Sequence, residues 1–240
     1  MKQPVAIQRR IRLWDAPTRL FHWFLVGAVG TALVTGLTGG SAMELHGKAG
    51  LVIGGLLVFR LVWGFAGNRH ARFASFWPTP SNLRAYLRGQ WHGVGHNPLG
   101  ALSVLALLSL LSLQLGTGVF GNDEISFTGP LAAQVSEELS LWLTGWHHRL
   151  ANLLYLLLFL HVLAIAFYRL VKKDDLLKPM VTGHKVVSNE RQQGDAPPAS
   201  RWALLLALVL AAVAVLLLSG VLWSKEPPSA APQAPTKPAW

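Results

Sequence analysis

Residues 146–168, WHHRLANLLYLLLFLHVLAIAFY, constrain this chain more than any other stretch. A run this long and apolar is suited to cross a bilayer as a helix. It nevertheless carries histidines at 147, 148 and 161, and ionisable groups at membrane depth are costly enough to signal function. Fourteen positions separate His147 from His161. At about 100° per residue the two point within about 40° of each other, and at about 1.5 Å per residue they lie about 21 Å apart along the axis. The same sum from His148 gives about 220°, the far side of the helix. His147 and His161 therefore read as two ligands on one face, one near each membrane surface. That geometry suits two stacked cofactors, such as two haems held between helices.

The remainder of the chain has a membrane composition. Of 240 residues, 52% are hydrophobic and only 13% charged, which lies outside the range of soluble domains and indicates a polytopic membrane protein. The net charge of +10 does not indicate nucleic-acid binding, because the basic residues fall in alternate loops rather than along one face. The absence of cysteine excludes disulfides, cysteine-ligated iron–sulfur clusters and thioether-bound c-type haem. Any haem here is non-covalent.

Five apolar spans are expected, at about 17–37, 46–65, 98–120, 146–171 and 202–223. The first lacks a small-residue cleavage site and contains His22, so it is expected to be retained. Between the second and third spans, SNLRAYLRG reads as a short interfacial helix capped by Ser81. Residues 121–145 are acidic (Asp123, Glu124, Glu137, Glu138), and LAAQVSEELSLWL within them reads as amphipathic helix. The tail from 224 is rich in Pro and Ala and is expected to be disordered. The expected fold is thus an all-α integral membrane protein with four haem-binding transmembrane helices in a bundle and a fifth C-terminal one. The division is 1–175 for the di-haem domain, 176–201 for a cytoplasmic linker, 202–223 for the extra helix and 224–240 for a periplasmic tail.

Lys and Arg accumulate before the first span, between the second and third, and between the fourth and fifth. By the positive-inside rule the N-terminus is cytoplasmic and the C-terminus periplasmic. This sorts the histidines by depth. His22 and His161 share the cytoplasmic level, and His46 and His147 the outer level. Neutral imidazoles from facing helices suit axial ligation of haem iron. Two per iron leave no open position, which favours electron transfer over oxygen binding. Zinc would want three or four ligands at one depth.

Other residues have two readings each. Arg19, Lys48, Arg60 and Arg149 are candidate propionate partners, with ordinary snorkelling as the alternative. His148 is a polar neighbour or a propionate partner. His70, His92, His96 and His184 fall in cytoplasmic segments and read as solvated. Gly27, Gly30, Gly47, Gly50 and Gly54 lie on the first two spans, where Gly50 and Gly54 form a GxxxG. Helix packing and room for a flat macrocycle are both open.

RLWDAPTRLFHW at 12–23, LHGKAGLVIGGLLVFRLVWGF at 45–65, HNPLGALSVL at 96–105 and WHHRLANLLYLLLFLH at 146–161 resemble the bacterial cytochrome b561 family, which includes the b-type cytochrome subunits of nickel–iron hydrogenases. The likeness covers residues 10–172. It implies two haem b groups held by His22, His46, His147 and His161. It also implies electron exchange between membrane quinone and a periplasmic redox protein, such as a c-type cytochrome or a hydrogenase small subunit. Quinone oxidoreduction then involves polar groups at the cytoplasmic level, with Arg19, Arg69 and His70 as candidates. The acidic outer segment suits attraction of a basic partner, and equally follows the charge rule for outer loops. The alternative is a transporter or channel without haem, against which no span combines a broken helix with a charged midplane residue.

Overall fold

The computed structural model describes residues 8–188, 195 and 199–223. Five helices are long and apolar enough to cross a membrane, and the protein is a multi-pass membrane protein. They are α1 (Ala16–Thr38), α2 (Met43–Ala66), α4 (Pro98–Val119), α5 (Glu137–Leu170) and α7 (Arg201–Leu218). Two short helices, α3 (Pro80–Leu87) and α6 (Leu177–Thr182), lie in the connections.

The helix starts follow local chemistry. Asp15 accepts from the Thr18 amide and Asn97 from the Gly100 amide. In both cases a proline follows within the first turn, where its missing N–H costs nothing. Ser136 and Ser200 cap α5 and α7. Thr79, not Ser81, caps α3. Pro80 takes the first helical position, so the cap falls one residue before it, and the Ser81 hydroxyl bonds that of Thr79 instead. Of the acidic helix expected over 131–143, only the part from Glu137 is helical, as the opening of α5 itself; Ala132–Gln134 form a single 3-10 turn before the Ser136 cap. With no proline to break it, α5 runs 34 residues, about 51 Å at about 1.5 Å each, well beyond the roughly 30 Å hydrocarbon core.

Packing centres on α2. Half of its spanning window is buried, against at most 17% in the other spans. Helix α1 packs on α2, α4 on α5, and α2 on α4. Val29, Ile53, Leu57, Leu110, Leu111 and Leu154 form an apolar core drawn from all four. Helix α7 also packs along α2. A β-carbon at Gly55 would sit 2.7 Å from Val215, and one at Gly54 would sit 2.7 Å from Leu218. These two glycines let α7 approach closely. Gly50 meets nothing within 4 Å and lines a cavity. The two members of the GxxxG thus serve different neighbours.

A two-stranded antiparallel ribbon lies at one end of the bundle. It pairs β1 (Gln8–Arg12) with β2 (His184–Ser188), Gln8 opposite Ser188 and Arg12 opposite His184. Ile11, Leu13, Trp14, Val94 and Val187 bury a small core beneath it. Leu13 and Trp14 both donate to the Gly183 carbonyl. Gly183 has φ +83°, and a β-carbon there would fall 2.8 Å from the Trp14 carbonyl, so glycine is required. Helix α6 is tied back to α1 by Arg19, which donates to the Val181 carbonyl, and by Trp23, which donates to that of Met180. The tail 224–240, and 189–194 and 196–198 of the 176–201 segment, lie outside the described residues.

Candidate haem-binding site

Two levels of histidine are separated along α5, one at the ribbon end of the bundle and one at the opposite, loop end. At the loop end His46 of α2 faces His147 of α5, with ring centroids 6.0 Å apart and planes at 80°. The Nδ1 of His46 lies 2.8 Å from the Ala32 carbonyl of α1. The Nδ1 of His147 lies 3.0 Å from the Gln114 carbonyl of α4. A carbonyl only accepts, so each Nδ1 carries the proton and each Nε2 presents a lone pair. Ligand imidazoles are commonly fixed in this way, and the outer hydrogen bond increases their basicity. All four helices therefore contribute to this level, two with rings and two with carbonyls.

The surroundings fit a flat group between the rings. A metal–imidazole bond is about 2 Å, and a ring centre lies about 1 Å behind its nitrogen, so two opposed ligands on one ion put their centroids about 6 Å apart. The cavity here is lined by Gly36, Gly47, Gly50 and Gly118, with Asp123 and Phe127 at the loop side. Gly36 lies against the Nδ1–Cε1 edge of His46 and Gly118 against that of His147; a β-carbon at either would come within about 3 Å of the ring. Among the described residues no three potential metal ligands converge, so a metal at this pair needs further donors from a macrocycle. His148 is exposed beside His147 and reaches the cavity lining. Lys48 is exposed and pairs with Glu44 at 2.6 Å, and Arg149 is exposed over the Trp146 ring.

At the ribbon end His22 of α1 and His161 of α5 lie within electrostatic reach of each other. The Nδ1 of His22 is buried without a partner. Arg60 is only 4% exposed, stands 4.6 Å over the Phe73 ring, and leaves one terminal nitrogen unpartnered. The Nε of Arg19 and the Nδ1 of His96 are likewise buried and unsatisfied. Buried unpaired donors are expensive, and their gathering at one level fits a group bearing acceptor oxygens, as haem propionates do. The donor set at both levels therefore fits haem b.

His70 and His96 correct the sequence reading. Neither is solvated. His70 is 5% exposed. His96 is held between Trp14 and Phe76, each ring centre 4.7 Å away. Burial, then Arg60 and the nearby histidines, push its pKa down to about 3, so it is a neutral imidazole. Its neighbours come from α1, α2, α5 and the connections beside them, and no local pattern announced them. Arg69 and His92 are exposed, and His184 sits in the ribbon.

Residues 13–183 match the family described as prokaryotic cytochrome b561. The chain belongs to that family. Relatives of this cytochrome b561 protein include a "Probable Ni/Fe-hydrogenase B-type cytochrome subunit" of Azotobacter chroococcum, 26% identical, covering 79% of this chain and 94% of the relative. A protein of the same description from Rhodobacter capsulatus is 23% identical over 78% of this chain and 86% of its own length. A "Probable Ni/Fe-hydrogenase 1 B-type cytochrome subunit" of Escherichia coli (strain K12) is 22% identical over 72% of this chain and 89% of its own length. No solved structure gives a significant match. The matched region contains α1 to α6, all four histidines and Arg60. It does not include α7.

Proposed function

We propose that this cytochrome is a di-haem electron carrier of the bacterial inner membrane, with His22 and His161 holding one haem b and His46 and His147 the other. The facing pair at the loop end carries the reading most directly. Two rings stand at the separation a shared iron requires, with both Nδ1 protons committed to carbonyls and both Nε2 lone pairs available. When bound, haem supplies one-electron chemistry at iron.

The chain's own part is orientation and insulation. Ala32 and Gln114 hold the two rings in their tautomers. Leu154 lies seven positions from both His147 and His161 and is 3% exposed. With Val29, Ile53 and Leu110 it forms a dry layer between the levels. Such a layer keeps water and protons from crossing while leaving a short through-protein path for electrons.

The basic loops and ribbon set the ribbon end in the cytoplasm by the charge rule, leaving the C-terminal tail in the periplasm. Quinone then exchanges electrons near the buried polar cluster at that end. His70 is part of the cluster, while exposed Arg69 is its weakest member. The periplasmic partner is a redox protein met at the acidic loop, either a c-type cytochrome or a hydrogenase, the class named in the relatives' descriptions. The test is a reduced-minus-oxidised spectrum with a haem-to-protein ratio on the full chain expressed with ample haem. Two b-type haems per chain are expected, and a colourless protein overturns the reading. His148→Ala retains both haems, since His148 is exposed at the cavity edge; loss of either in the same spectrum would show that the wrong neighbour of His147 has been assigned.

A further inference from the structure

Charge is distributed unevenly between the two histidine levels. Helix α2 carries His46 at the loop end and, fourteen positions on, Arg60. That spacing returns to within about 40° of the same face about 21 Å further along. At the ribbon level α2 therefore contributes a guanidinium where at the loop level it contributes an imidazole. Arg60 is buried in the apolar neighbourhood of Phe73 and has one nitrogen unpartnered. His96 lies within electrostatic reach of Arg60 and of both His22 and His161. The acid near Arg60 is Asp15. Its carboxylate is shared, one oxygen accepting from the Thr18 amide at 2.9 Å and the other from the Trp63 indole at 3.2 Å.

The loop level has the opposite character. Its nearby cations, Lys48 and Arg149, are exposed and screened by water. Its cavity is lined by Asp123. Slight burial pushes that carboxyl up, but backbone donors from Phe127, Ile125 and Ser126 outweigh this and hold it below the ordinary range. Asp123 is therefore ionised at neutral pH.

Resting on the two-haem reading, we propose that Arg60 is a potential-setting residue: its buried guanidinium raises the midpoint potential of the haem at His22 and His161 above that of the haem at His46 and His147. Reduction adds one negative charge to a haem, and a cation in a medium of low dielectric stabilises that charge far more than one in water. An ionised carboxylate beside the other haem acts in the reverse sense. The Nδ1 hydrogen bonds of His46 and His147 add to the difference, since a more basic ligand favours the oxidised metal. Electrons at equilibrium therefore collect at the ribbon level.

The test is an optical redox titration of the full-length haem-loaded chain, with the remaining haem of His147→Ala used to assign the ribbon-level bands. Arg60→Gln lowers the potential of that haem by about tenfold in its reduction equilibrium, about 59 mV for one electron, and leaves the other unmoved. Arg60→Lys retains most of the wild-type value. Asp15→Asn removes the countercharge while keeping a good helix cap, and raises the same potential. If Arg60→Gln strips the haem, Asp15→Asn decides alone. An Asp15→Asn potential that is unmoved or lowered, or an Arg60→Gln protein with both potentials unchanged, overturns the assignment. A wild-type chain without two b-type haems would instead fail the two-haem reading, before any variant is made.

Discussion

Exchanging His161 for alanine is expected to release one haem and leave the other bound, taking the haem-to-protein ratio from about two to about one. His147→Ala is expected to do the same at the opposite level. The expectation rests on independence. The ring of His147 is anchored to Gln114 on α4 and that of His46 to Ala32 on α1, and neither anchor involves a residue at the ribbon level. The buried leucine layer around Leu154 separates the two. Each alanine therefore removes one ligand without disturbing the other pair. Absorbance of the two single variants, compared with their circular dichroism, checks this. Equal loss of both haems in a protein that keeps its helical signal would reject the pairing by level.

A larger effect than its size suggests is expected from Gly118→Ala. The added carbon would sit 2.9 Å from Cε1 and 3.1 Å from Nδ1 of His147. The ring has little freedom to yield, because its Nδ1 is held by the Gln114 carbonyl at 3.0 Å. Either that bond breaks, at about 1 kcal/mol net, or α4 and α5 move apart, with overpacking of this kind costing about 1–3 kcal/mol. Either route displaces the Nε2 lone pair. The expected result is loss or spectral perturbation of the loop-level haem alone. Gly36→Ala, whose added carbon meets His46 at 3.1 Å, should act on the same haem from the other ring. Gly30→Ala meets nothing within 4 Å and serves as the control. A Gly118→Ala spectrum identical to wild type would show that the ring can turn aside freely.

The spans were legible in the sequence because each is a long apolar run, and hydropathy alone marks such runs. The two histidine levels were legible for a geometric reason. A straight helix comes back to within about 20° of the same face every seven residues, and fourteen positions are two such steps, so His147 and His161 could be aligned before any neighbour was known. The ribbon was not legible. Its strands are five residues each and over 170 positions apart, and their basic side chains resemble any membrane-flanking segment. The burial of Arg60, His70 and His96 was hidden for a related reason. Trp14, Phe73 and Phe76, which enclose two of them, stand in connections outside the spans, where hydropathy gives no sign of which side chains meet. The cap of α3 was missed by two residues because Pro80 fixes the first turn earlier than Ser81 could.

The closeness of α7 to the two glycines of α2 restricts how neighbours in the bilayer can approach. With α1, α4 and α7 all packed on it, α2 is the most buried of the spans. A membrane-borne companion would lean on α1, α4, α5 or the outer face of α7, where residues such as Phe24, Leu113, Phe159 and Leu206 remain open. A cytochrome with its own helix along that seam has no vacancy there for a visiting one.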